Sequence, residues 1–123
     1  MITILTLGCA DPLPSVRIVS PTEGATVCGT PFAVEVDVQN YILVDFGPEV
    51  AVPGEGHVDI ALNGQNRWMT PMPAFEIPVV EDGRTLIDAI LVDGTHHAIV
   101  PEVIDTITVT VDADACGAET MAR

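Results

Sequence analysis

The sequence predicts an all-β fold, an antiparallel β-sandwich of about seven strands. Apolar and polar residues alternate with period two over several short stretches, and β-branched residues dominate those stretches. Ten prolines and ten glycines punctuate the segments between them, and no stretch places apolar residues at helical spacing.

Taken in order, Val16 and Ile18 mark a first edge strand that ends in the turn Ser20-Pro21-Thr22-Glu23-Gly24. Phe32 to Val38 alternates acidic residues with valines, the pattern of a strand with one face on a core. Gln39 and Asn40 break it, and the apolar run Tyr41 to Val44 is either a strand extension or a packed loop. Val58, Ile60 and Leu62 alternate with His57, Asp59 and Ala61. Trp68, Met69 and Met72, set among Pro71 and Pro73, form an apolar cluster that packs in the core or a loop, or meets a partner. Phe75 to Val80 is interrupted by Pro78, as an irregular or edge strand is. Thr85 to Val92 is apolar enough for fuller burial, and Ile107, Val109 and Val111 alternate with threonines in a last strand led by Ile104.

At 123 residues the chain fits one domain. Eighteen acidic residues against four arginines give a formal charge of −14. Such a surface repels nucleic acid phosphates and anionic headgroups, so nucleic acid is excluded as a partner and a membrane is reached only through an anchor. The acid is either a solvated face or an attraction for cations.

The opening Met1-Ile2-Thr3-Ile4-Leu5-Thr6-Leu7-Gly8-Cys9 resembles the end of a bacterial lipoprotein signal. The resemblance implies cleavage before Cys9 and lipidation of its thiol, with residues 1–9 a truncated signal, 10–15 a short linker, 16–118 the domain and 119–123 a tail. Cys28 and Cys116 bracket the strands and, once Cys9 is lipidated, are left as a pair suited to a disulfide in an oxidising compartment. The expected location is the bacterial cell envelope, lipid-anchored and periplasmic or surface-exposed, or secreted.

Ile18 to Val27, Pro53 to Val58, Leu91 to Asp93 with His97, and Thr106 to Val111 together resemble a bacterial immunoglobulin-like domain, whose members are secreted or lipid-anchored. The Gly54-Glu55-Gly56-His57 element is similar to uncharacterised DUF4399-type domains, where a second histidine often stands two positions on; here that position is Asp59. The immunoglobulin-like topology makes the strands at 57–63 and 85–92 antiparallel neighbours, with the loops before the first and after the second emerging together. His57, His96 and His97 should then approach one another, with His57 and Asp59 on one outward face. Imidazole with carboxylate suits Zn²⁺ or Cu²⁺, so His57, Asp59, His96 and His97 are the candidate metal ligands, with Asp93 or Glu55 nearby. The alternative has His57 capping its loop and the other two histidines exposed in a turn. Asp45, Glu49 and Glu55 form a lesser cation option.

No nucleophile is paired with a base, and Ser15 and Ser20 are the only serines. The expectation is a non-catalytic binding or structural module that engages an unidentified protein or envelope component. Its rivals are a Cu or Zn protein using the histidine end, and an adhesive or carbohydrate-binding domain stacking sugars on Trp68 and Tyr41.

Overall fold

The structure is a computed structural model that describes residues 12–29, 31–44, 51–78 and 80–115. Among these residues the chain is nearly all β. Strands β1 (Ser15–Ser20), β2 (Thr26–Val27), β3 (Phe32–Gln39), β4 (Ile42–Leu43), β5 (Glu55–Leu62), β6 (Gln65–Thr70), β7 (Ala74–Ile77), β8 (Gly83–Asp93) and β9 (Ile104–Val111) are followed by a helical turn at 113–115. Strand β1 already begins at Ser15, the last residue of the expected linker.

Two sheets enclose one core. The smaller is antiparallel, in the order β1-β3-β7. The larger runs β2-β9-β8-β5-β4, with β6 on the same edge of β5 as β4, and curls into a half-barrel. It is not wholly antiparallel, because the two-residue strands β2 and β4 run parallel to β9 and β5. The core takes Val16, Ile18, Val34, Val36 and Ile77 from the smaller sheet. Val58, Ile60, Leu62, Ile87, Leu91, Ile107, Val109 and Val111 face them from the larger one. Period-two alternation thus selects the core in every long strand, since side chains two apart share a face.

Strand β6 holds Trp68 and Met69, which the sequence reading assigned to no strand. Asn63 and Gly64 both take positive φ, 51° and 76°, and turn β5 back onto β6. This is the Asn-Gly hairpin turn, whose twist matches that of the flanking strands. Trp68 then pairs with Ile60 and packs against the core beside Phe75, while Met69 pairs with Asp59 and lies on the opposite face.

Cys28 is disulfide-bonded. Its neighbours run beside the end of β9: Val27 O accepts from Asp112 N at 2.9 Å, and Gly29 lies against Ala113. Cys9 and Cys116 lie outside the described residues, as do Asp45 and Glu49.

A carboxylate joins the sheets at one corner. Asp105, at the start of β9, accepts the Ile18 N–H of β1 through Oδ2 at 2.8 Å. A hydrogen bond to a charged acceptor contributes about 2 kcal/mol, and without it a half-buried amide is stranded. Asp105→Ala should therefore lower unfolding free energy by about 2 kcal/mol in urea titrations, with Asp105→Asn recovering part of the loss because its amide oxygen still accepts.

Candidate functional site

The Pro53-to-His57 segment builds one wall of the site, each residue for its own reason. Glu55 N donates to Val52 O at 3.2 Å, closing a turn with Gly54 at φ 87°, which places proline and glycine where a type II turn wants them. Gly56 comes next because the backbones crowd there. A Cβ on it would sit 2.0 Å from Val92 O, 2.7 Å from Tyr41 Oη and 2.8 Å from Asp93 Cα. His57 follows on β5 opposite Val92, only 2% exposed.

His57 and Asp59 share a face, as expected from their spacing, but that face is covered rather than outward. Asp59 is 4% exposed, and Ile90 and Val92 beside them on β8 are buried as well. Every residue of β5 from Gly56 to Leu62 is buried, and β8 changes from alternating to continuous burial at Ala89. This half of the larger sheet is therefore covered on both faces.

The cover includes the turn after β8. Asp93 Oδ1 accepts from Thr95 N at 2.8 Å, Thr95 Oγ1 at 2.6 Å and His97 N at 3.1 Å, and Asp93 N donates to His97 O at 2.8 Å. The Thr95 hydroxyl, followed by the His97 amide, holds the Asp93 carboxyl below its ordinary value. Because the folded value lies below the free one, this contribution to the turn is present above pH 3.8 and fades as pH falls through the lowered value. Within the turn His96 takes φ 72°, a left-handed conformation that histidine tolerates better than most residues. That conformation accompanies a ring laid against His57, with centroids 5.3 Å apart and planes tilted by 46°. His96 Nδ1 meets Met69 Sδ across β5.

Of the four candidate ligands, His57 and His96 are brought into ring contact, and Asp59 lies two residues along the same face. His97 is exposed and its Nδ1 is engaged by Thr95 Oγ1 at 2.8 Å on its own turn. Asp93 serves as the turn's backbone acceptor. Among the described residues no three His, Cys, Asp or Glu side chains form a metal-holding group. Met69 is the neighbour that the sequence reading left out of the set, and the Asn63-Gly64 hairpin signal could have placed it opposite Asp59.

Tyr41 braces the same end. Its hydroxyl lies 2.8 Å from Val92 O and 3.1 Å from Glu55 O, clasping β5 and β8 where Gly56 lets them approach. Beside it a groove of about 530 Å³ is lined by Pro14, Tyr41, Val52, Pro53, Ile99 and Val100. Both aromatics considered for sugar stacking are engaged elsewhere, Trp68 on the core and Tyr41 in this brace.

Burial, then the nearby Asp93 and Glu55 carboxylates, push the Tyr41 phenol up from 10.0 to about 12. A folded value above the free one means that its stabilisation is intact below pH 10 and is lost as pH rises through about 12. Tyr41 is the only tyrosine, so phenolate absorbance should titrate near 12 in the folded protein and near 10 in urea. At Gly56 the crowding atoms are mainly backbone, so Gly56→Ala should cost about 3 kcal/mol in urea titrations, at the upper end for overpacking. It should also separate His96 from His57, read as loss of the cross-peak between their rings in NMR spectra.

No protein-family model matches the chain, and no curated protein matches it. Among solved structures it is similar to an engineered protein whose crystal structure was determined at 1.98 Å for the Northeast Structural Genomics Consortium. The TM-score is 0.53 at 17% identity over 83% of this chain, which spans 21% of that protein's length. At that identity the likeness is one of fold alone.

Proposed function

We propose that the protein is an exported, lipid-anchored, non-catalytic binding module of the bacterial cell envelope, with an immunoglobulin-like sandwich as its scaffold. The observation that carries the binding role is the construction of one end. A turn pinned by Asp93 lays His96 on the buried His57, beside Met69 and a largely apolar groove. Loops held on a rigid sheet are where binding residues concentrate.

Export is supported by the apolar run ending in Gly8-Cys9 and by the bonded state of Cys28, since structural disulfides persist in oxidising compartments. The approach of Gly29 to Ala113 favours Cys116 as the partner of Cys28. A net charge of −14 makes direct adsorption to anionic lipid unfavourable, so the lipid on Cys9 supplies the attachment. No helix among the described residues is long and apolar enough to cross a membrane.

Expression of the full-length precursor in a bacterium, followed by intact-mass analysis of the membrane fraction, tests this reading. The expected product begins at a diacylglyceryl-modified Cys9 and shows no free thiol under denaturing, non-reducing conditions. A soluble product that retains Met1, or reactive thiols at Cys28 and Cys116, would overturn it.

A further inference from the structure

We propose that Met69, His96 and His57 form a binding site for a single Cu(I) ion. The proposal deepens the binding-module reading by naming a ligand for its histidine end. It rests on that reading only for the location of the site.

The donor set selects the metal. A thioether is a soft ligand that favours Cu(I), and imidazole binds copper well. Zn²⁺ instead demands four donors drawn from imidazole, thiolate and carboxylate. No three such side chains are grouped among the described residues. Where thiols are oxidised to a disulfide or alkylated by a lipid, no thiolate competes and methionine serves as the soft donor.

Geometry brings the three donors together. Met69 Sδ and His96 Nδ1 are direct neighbours, although 27 residues separate them in sequence, and must part to admit an ion between them. The His57 and His96 centroids are 5.3 Å apart. An ion bonded at about 2 Å to one nitrogen of each ring requires centroids within about 6 Å. Asp59, paired with Met69 in the ladder, lies two residues along the same face as His57 and is not counted among the donors.

Access and rigidity are divided among the donors. Met69 is 39% exposed and His96 is exposed, whereas His57 forms the buried floor. An incoming ion therefore meets the thioether and the outer imidazole first. Three hydrogen bonds to Asp93 Oδ1 hold the turn that presents His96, so few new constraints are imposed on binding.

The test is competition for Cu(I) between the full chain and a chromogenic Cu(I) chelator under anaerobic conditions. One Cu(I) per chain is expected, undisturbed by excess Zn²⁺, with a sulfur scatterer in the copper X-ray absorption spectrum. Met69→Leu keeps the side-chain volume and His96→Asn keeps a residue tolerant of positive φ, so both variants should retain the parent urea midpoint. Each should weaken Cu(I) binding at least tenfold, while Met72→Leu, at a methionine 59% exposed in the following turn, should leave it unchanged. Failure to capture copper at 1:1, a spectrum without sulfur, or unaltered affinity in Met69→Leu would overturn the site. Those results would leave the Cys9 mass untouched, and an unlipidated Cys9, its thiol alkylated with iodoacetamide before the titration, would leave the copper result untouched.

Discussion

The histidine end depends on how closely the β5 and β8 backbones approach at Gly56. With Val92 O 2.0 Å from where a Cβ would stand, no other residue fits without parting the strands. The same approach sets Val92 O within reach of the Tyr41 hydroxyl and starts the ladder that places His57 opposite Val92. It also positions the end of β8, from which the Asp93 turn departs. One missing methyl group thus positions the brace, the buried histidine and the turn together.

Around that point the sheet departs from the pattern of an ordinary half-solvated strand pair. One face of β5 and β8 carries the common core, and the other buries His57, Asp59, Ile90 and Val92. Burying imidazole and carboxylate among apolar neighbours costs free energy unless they are engaged, so such residues are uncommon where packing is the sole requirement. Their position under an exposed thioether and an exposed imidazole makes this the most chemically capable region of the described surface. Soft and nitrogen donors converge there without a thiol.

Much of the fold was legible in the residues, and the reasons are local. Valine–acid alternation in β3 and isoleucine–valine–threonine alternation in β9 name their buried faces directly. The Pro53-Gly54 turn was legible in its residues, whereas the grouping of His57 with His96 was expected only from the resemblance to an immunoglobulin-like topology, which makes their strands neighbours. Strand β6 was missed although its Asn63-Gly64 turn is a strong hairpin signal, because Gln65 to Thr70 shows no period-two alternation of apolar and polar residues. The two-residue strand β2 was beyond reach, since two residues carry no periodicity, and the run Tyr41 to Val44, which holds β4, allows a strand or a loop alike.

The sequence by itself determined which side chains share a face, because a strand's period of two is a property of the backbone. Whether a face meets water is not, and there the tertiary structure decided. The pattern of β5 is the same whether His57 and Asp59 point to solvent or lie under a turn. Covering them required residues 69 and 96 to arrive from a hairpin and a loop distant in the chain. It likewise decided that His96 and not His97 meets His57, because the hydrogen bonds to Asp93 set which of two adjacent residues takes the left-handed position and which stays on the turn.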